Sequence, residues 1–370
     1  SRIAAYKRTA KAAFGGMIDL SVGSPVDPVP DSVRKALAVA ANDPNAYGYP
    51  ATAGTADLRA AIAEWFSATR NVDLQAIHAD VVPTVGSKEG VALMASLLHF
   101  GEDDVVVQPK VSYPTYEIGT QLAGAQVLKV DDVADVASWR NVPGVKAVWV
   151  NSPCNPTGEV YSAERMAGIV AAAREIGAVV LSDECYALMQ WRGATNSADD
   201  DPLQSTPCAL RSDVCAGSAE GVLVLYSLSK QSNMAGYRTA FIAGDESLIA
   251  SMSAYRKQIG QIIPGPVQAA MAAGLRDLES VKVQHARYRE RLGVLVSALR
   301  AYGYCTDMPD GALYVWVRAK SGDCWTDMEQ LAKIGIIASP GEFYGAPECL
   351  RFSATASDEA IASAAERLAR

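Results

Sequence analysis

Short valine-rich runs separated by helix-length stretches restrict the fold of this chain more than any other feature of its sequence. Val105-Val106-Val107, Ala147-Val148-Trp149-Val150, Ala178-Val179-Val180-Leu181 and Val222-Leu223-Val224-Leu225 are apolar throughout. Strands of that kind are covered on both faces, as in a parallel sheet whose crossover helices lie above and below it. Residues 89–98 and 162–176 supply helical periods between the runs, so the reading is α/β, with a large, mostly parallel mixed sheet between helices. Past residue 270 the pattern changes. Residues 280–302 read as one long helix, followed by strand-like 312–317, a short helix, then 336–337 and 350–353, which predicts a smaller α+β domain. At 370 residues the chain exceeds what one core usually serves. The expected division is a large domain over 41–265 and a small domain built from 1–40 and 266–370, with the breakers of QIIPGPVQ (261–268) at the boundary. Segment 194–220, rich in Ala, Asp, Ser, Pro and Cys, reads as a surface excursion.

Composition removes several classes of function. A net charge of −8 gives no footprint for a phosphate backbone, so no nucleic-acid partner is expected. No apolar run approaches the length of a membrane span, so no membrane partner is expected either. Seven cysteines without a C-x-x-C pair, and three histidines (His78, His99 and His285) outside any ligand-spaced cluster, point to a reducing cytoplasm and to no metal centre. The sequence opens at Ser1 without a methionine or a signal-like pattern, which leaves a trimmed start open.

Three local stretches bear on chemistry. Asn151-Ser152-Pro153-Cys154-Asn155-Pro156-Thr157-Gly158 follows a valine-rich run; its residues suit a strand-to-helix turn as well as a site. Asp183-Glu184-Cys185-Tyr186 ends another run, where an acidic residue caps a helix or meets a ligand. YSLSKQSNMAGYRTAF (226–241) sets Lys230 among Ser227, Ser229 and Arg238 in otherwise buriable sequence. A lysine there is either a solvated loop residue or a nucleophile for an aldehyde, beside hydroxyls and a guanidinium able to hold a phosphate. Jointly the three supply the parts that pyridoxal 5'-phosphate needs: a lysine for its aldehyde (Lys230), an anion for its ring nitrogen (Asp183), donors for its ring oxygen (Asn155, Tyr186) and a phosphate cradle.

Asn-Pro-Thr-Gly, Asp-x-x-Tyr and Ser-x-Ser-Lys followed eight residues later by Arg occur in that order. In this the chain resembles the class I/II (fold-type I) pyridoxal-phosphate aminotransferases over nearly its whole length. The resemblance implies that Lys230 holds the cofactor and shuttles the substrate's proton, with Asp183 and Tyr186 as its catalytic companions. Ser227, Ser229 and Arg238 resemble phosphate ligands, as do Gly86, Ser87 and Lys88 in GSKEG, where a helix start offers free N–H groups. Tyr113 in SYPTY resembles the tyrosine that stacks on the ring. Arg351 in CLRFSAT resembles the arginine that grips the substrate α-carboxylate, with Asn155 beside it, and Gly23 in SVGSP resembles a glycine whose backbone lines the pocket. Tyr49 sits where the family sends a tyrosine to a neighbour's phosphate, which implies a homodimer with shared active sites. Thr239 departs from the family's aliphatic residue, and Cys154 and Cys185 are read as inert packing.

For substrates the resemblance implies small amino and keto acids. Lys88 resembles a lysine that pairs with a distal carboxylate, against the reading of a solvent-facing helix lysine, and so favours acidic substrates with glutamate and 2-oxoglutarate. DLSVGSPVDPVP, GYPATAGT, SLSKQSNMAGYR and PGEFYG are most similar to bacterial N-succinyldiaminopimelate aminotransferases of lysine and peptidoglycan biosynthesis. Aspartate or another amino acid as substrate, or C–S β-elimination on the same scaffold, are the alternatives. A nicotinamide-binding dehydrogenase lacks its G-x-G-x-x-G after the first strand, and a regulator would need a basic DNA-binding module for which neither charge nor length leaves room.

Overall fold

The computed structural model describes residues 1–191, 203 and 206–370. After a two-residue strand β1 (Ile18–Asp19), seven strands make the large sheet: β2 (Ala79–Val85), β3 (Val105–Pro109), β4 (Gln126–Val130), β5 (Val145–Asn151), β6 (Val179–Asp183), β7 (Val222–Ser227) and β8 (Thr239–Asp245). Their order is β2-β8-β7-β6-β5-β3-β4, and only β8 runs antiparallel to its neighbours. The valine-rich runs are apolar on every residue because both faces are covered. Val148, Val150, Val180, Val222 and Val224 enter one core. Ala147, Trp149, Leu181, Leu223 and Leu225, the alternate positions, enter the other. This is the two-residue period of a strand sandwiched between helix layers.

The sheet order gathers the chemistry at one edge. β5, β6 and β7 are parallel neighbours, and their carboxyl ends carry Asn151, Asp183 and Ser227; Asn151 and Asp183 are register partners, as are Asp183 and Leu225. β2 ends nearby at Val85, opposite Thr239, the first residue of antiparallel β8. Gly86 after β2 and Arg238 before β8 therefore meet at the same rim. In open α/β sheets ligands settle outside such carboxyl ends.

The smaller lobe has a three-stranded antiparallel sheet of β9 (Tyr314–Arg318), β11 (Ser339–Pro340) and β12 (Cys349–Ser353), in the order β11-β12-β9. A two-residue strand β10 (Ile336–Ile337) pairs with β1 and so ties the N-terminal segment to this lobe. The second core runs from Ile18 through Tyr186 and Tyr314 to Leu368. Helix Leu278–Tyr302, capped at its start by the Asp277 carboxylate, passes from the first core at Val281 to the second at Tyr288.

The expected surface excursion over 194–220 is corrected for the part the structure describes. Thr206, Cys208, Ala209, Leu210, Val214, Cys215 and Ala219 are buried. Small side chains pack without forming a hydrophobic run, and two buried polar groups anchor them: Glu184 Oε2 accepts the Ala209 N–H at 2.9 Å, and Arg70 donates to the Thr206 carbonyl while paired with Glu184. Residues 194–202, 204 and 205 lie outside the described residues. Among the described residues no helix is long and apolar enough to cross a membrane, and no group of three or more His, Cys, Asp or Glu side chains is placed to hold a metal.

Candidate active site

A cavity of about 480 Å³ opens at the sheet rim between the lobes. Gly23, Ser87, Lys88, Tyr113, Asn155, Asp183, Tyr186, Ser227, Ser229, Lys230, Arg238 and Arg351 all line it. Gly86 stands behind the wall, its N–H donating to the Arg238 carbonyl at 3.1 Å. Tyr49 does not reach this cavity; its side chain is fully exposed.

Lys230 sits in the short helix Leu228–Gln231 directly after β7. Tyr288 from the long helix donates to the Lys230 carbonyl at 2.8 Å, and Lys230 Nζ donates to the Gly23 carbonyl. The lysine is thus held on both sides, by a rigid helix and by the N-terminal segment. Its neighbours form a hydroxyl pair: Ser227 Oγ donates to Ser229 Oγ at 2.8 Å and accepts the Ser229 N–H at 3.1 Å.

Gly86 has φ +78°, a conformation that side chains resist, and a methyl there would run into the Arg238 guanidinium. Only glycine lets the arginine lie across the start of helix Ser87–Leu97, where unpaired N–H groups face outward. A guanidinium, a helix N-terminus and two serine hydroxyls at one end of a cavity make an anion cradle.

Asp183 is buried, and its hydrogen bonds come from neutral donors: Tyr116 Oη at 2.6 Å and the Cys185 N–H at 3.2 Å. Burial therefore raises its pKa above the ordinary carboxylate value, against the pull of those bonds. A carboxylate in that position gains from a cationic group within the cavity. Tyr116, three residues after Tyr113, also stacks on Trp149 with ring centres 4.6 Å apart, which fixes its phenol. Burial pushes the Tyr113 phenol up to about 12. Lys88 Nζ stands 6.0 Å from the centre of the Tyr113 ring.

At the opposite wall Asn151 Oδ1 accepts the Asn155 N–H at 2.9 Å and so orients the turn after β5. Arg351 from β12 donates Nη1 to Asn155 Oδ1 and Nη2 to the Ser21 carbonyl, both at 2.8 Å, and its buried Nε has no partner. Tyr314, the first residue of β9, lies beneath the Arg351 guanidinium and shares a 2.5 Å contact between hydroxyls with Tyr186. Cys185 lines the cavity beside Ser87, and burial raises its thiol well above the usual value, so it stays protonated. Among the wall residues that sequence reasoning missed are Asn151, Tyr314 and Tyr344, and behind the wall it missed Tyr116, which holds Asp183. The three-residue step from Tyr113 could have flagged Tyr116, but nothing local marks Tyr314.

The family model described as "Aminotransferase class I and II" matches residues 15–368. The chain is 40% identical over 98% of its length to 4-dedimethylamino-4-oxo-anhydrotetracycline transaminase OxyQ of Streptomyces rimosus, with 96% of that protein covered. It is also 40% identical to the probable aminotransferase Rv1178 of Mycobacterium tuberculosis, covering 99% of this chain and 83% of that protein. Its structure resembles that of a probable N-succinyldiaminopimelate aminotransferase from Thermus thermophilus at a TM-score of 0.86 and 27% identity, covering 100% of this chain and 99% of the other. Members of this family use pyridoxal 5'-phosphate. The residues present fit that group: an anion cradle that a Cβ at Gly86 would fill, a buried carboxylate short of a cation, and a lysine in the same cavity. The chain belongs to the class I and II aminotransferases.

Proposed function

We propose that this aminotransferase moves an amino group between glutamate or 2-oxoglutarate and an acidic amino or keto acid, most favourably the pair N-succinyl-LL-2,6-diaminopimelate and N-succinyl-2-amino-6-ketopimelate of lysine biosynthesis. The observation that carries the catalytic part is the shared cavity of Lys230, Asp183 and Arg351. Bound there, the cofactor supplies an aldehyde and a protonated ring that draws electrons from the substrate Cα. Asp183 would keep the proton on the ring nitrogen, and Asn155 and Tyr186 would donate to the ring oxygen. Lys230 would hold the cofactor at rest, and its amine, when free, would take up and give back the proton of the substrate Cα. Ser87, Ser227, Ser229 and Arg238 would hold the phosphate, with Gly86 leaving room for the guanidinium; Tyr113 would cover the ring, and Arg351 would grip the α-carboxylate beside the Gly23 backbone. Two such half-reactions in turn complete the transfer.

Lys88 supports the acidic preference, since it brings a cation to the cavity beside the Tyr113 ring. Likeness to the Thermus protein supports the succinylated substrate. A second reading, a ketone on a fused-ring skeleton, draws on the higher identity to the Streptomyces transaminase and on Tyr113, Phe343 and Tyr344 in the cavity wall. The dimer belongs to the same proposal: a fully exposed Tyr49 is free to reach the phosphate of a second copy. Mixing the cofactor-loaded enzyme with single amino acids and recording which bleach its visible band separates the readings. Glutamate and N-succinyl-LL-2,6-diaminopimelate are expected to bleach it fastest. With glutamate as donor, far faster turnover of oxaloacetate, aromatic keto acids or a fused-ring ketone than of N-succinyl-2-amino-6-ketopimelate overturns the substrate.

A further inference from the structure

Tyr314 touches three parts of the cavity wall that are distant in sequence. Its hydroxyl lies 2.5 Å from that of Tyr186, which follows β6 of the large sheet. The guanidinium carbon of Arg351 stands 4.0 Å from the centre of its ring. A methyl group added to Gly23 would come 2.5 Å from its oxygen, and the Gly23 carbonyl is the one that accepts Lys230 Nζ. Both phenols are buried side chains that meet at the cavity wall.

A phenol gives one proton and accepts through its lone pairs. Where Tyr186 gives its proton to the cofactor's ring oxygen, the short contact leaves Tyr314 as the donor and Tyr186 as the acceptor. Hydrogen bonds linked in this way strengthen one another. Resting on the reading that Tyr186 faces the ring oxygen, we propose that Tyr314 is a positioning residue that aims and strengthens the Tyr186 donor and couples it to the occupancy of Arg351.

The electrostatics of the pocket agree. The groups around Tyr314 are the cations Lys230 and Arg351, the thiol of Cys185, and the phenols of Tyr113, Tyr186, Tyr288 and Tyr344. Burial pushes the Tyr314 phenol up, but Lys230, Arg351 and the bond to Tyr186 pull it further down, below the ordinary tyrosine value. Burial drives Tyr186 well above that value, helped by its neighbour Tyr314. The Arg351 guanidinium over its ring favours Tyr314 as the donor of the pair. A carboxylate seated on Arg351 offsets the guanidinium over the Tyr314 ring, weakens Tyr314 as a donor, and so weakens Tyr186 in turn.

The test is a pH titration of the visible band of the cofactor-loaded enzyme for wild type, Tyr314→Phe, Tyr186→Phe and the double variant. Tyr314→Phe is expected to raise the midpoint by about 0.5 to 1 pH unit. Tyr186→Phe raises it further, and the double variant matches Tyr186→Phe alone, because Tyr314 acts through Tyr186. An unmoved midpoint in Tyr314→Phe overturns the proposal, as does a Tyr314→Phe shift that adds in full to that of Tyr186→Phe. Succinate, a dicarboxylate that carries no amino group, should raise the wild-type midpoint and raise that of Tyr314→Phe less; equal displacements overturn the coupling to Arg351. Ultraviolet titration of the cofactor-free proteins gives an independent readout, in which Tyr314→Phe loses an early-ionising phenol; superimposable curves count against the assignment. A wild type without any visible band would refute the cofactor site itself, whereas a normal band with an unshifted variant refutes only the role of Tyr314.

Discussion

Arg351 Nη1 donates to Asn155 Oδ1 across 2.8 Å, and that bond joins β12 of the small lobe to the turn after β5 of the large sheet. With Nη2 on the Ser21 carbonyl and Nε unpartnered, the planar guanidinium is fixed before any substrate arrives. A lysine carries a point charge without the fork. Arg351→Lys is expected to lower kcat/KM about 100-fold or more for every amino acid tested, through KM first, while the visible band of the bound cofactor stays in place. Steady-state kinetics with glutamate and alanine, beside an absorbance spectrum, check it. A loss confined to one substrate would contradict the role in gripping the α-carboxylate.

Lys230→Ala should remove the covalent attachment of the cofactor and, with it, turnover. Borohydride treatment followed by mass measurement reads the attachment directly: wild type gains the reduced cofactor's mass and the variant does not. Retained transamination in the variant would refute the assignment.

Asp183→Asn separates catalysis from stability. Burial raises the Asp183 pKa above its usual 3.8 in the cofactor-free protein. For such a group the ionised form is disfavoured by folding, so the cost is absent below pH 3.8, grows as pH rises through the raised folded value, and is full above it. The amide escapes that cost. At neutral pH the cofactor-free variant should melt no lower than wild type, while its turnover falls about 1,000-fold or more for want of an anion under the ring. Calorimetry of both proteins without cofactor, together with kcat, tests the pair of outcomes; a large drop in melting temperature would make Asp183 a structural residue.

Lys88→Met should distinguish acidic from neutral substrates. Removing a cation from the cavity is expected to lower kcat/KM for glutamate about 10- to 100-fold and to leave alanine within a few-fold of wild type. Equal losses for both amino acids would assign Lys88 to the cofactor alone.

The sequence revealed the site where chemistry coincides with a strand end. Asp183 and Ser227 close valine-rich runs, so the apolar period marked the strand ends, while their roles came from the joint needs of one cofactor and from the family resemblance; Asn151 ends a run in the same way but gave no signal of its own. The order of those strands was not legible, because which runs pair is decided by contacts between distant residues. The antiparallel β8 between β2 and β7 brings Arg238 against Gly86 by such a pairing. Tyr116 and Tyr314 stayed hidden for a related reason: an aromatic residue within an apolar stretch looks like core, and its hydroxyl acquires a role only from a tertiary partner, Asp183 or Tyr186. Segment 206–220 misled because small and polar residues resemble a loop until the buried pair of Arg70 and Glu184 gives its backbone a partner.

Asp27, four residues after Gly23, carries the last prediction. Arg291 of the long helix donates to both its oxygens, at 2.7 and 2.8 Å, and Gln284 adds a third bond at 2.8 Å. Those arginine hydrogen bonds, outweighing burial, hold the Asp27 pKa below its usual 3.8. A carboxylate whose folded value is depressed contributes stability that is complete above 3.8 and is lost as pH falls through the lower folded value. Asp27→Asn should therefore cost about 1 to 3 kcal/mol at neutral pH. The gap in melting temperature between the two proteins should hold steady down to about pH 5 and close towards about pH 2. Because Asp27 pins the segment that presents Gly23 to Lys230, KM should rise in the same variant; a constant gap at every pH would mean that packing, not the ion pair, holds the segment down.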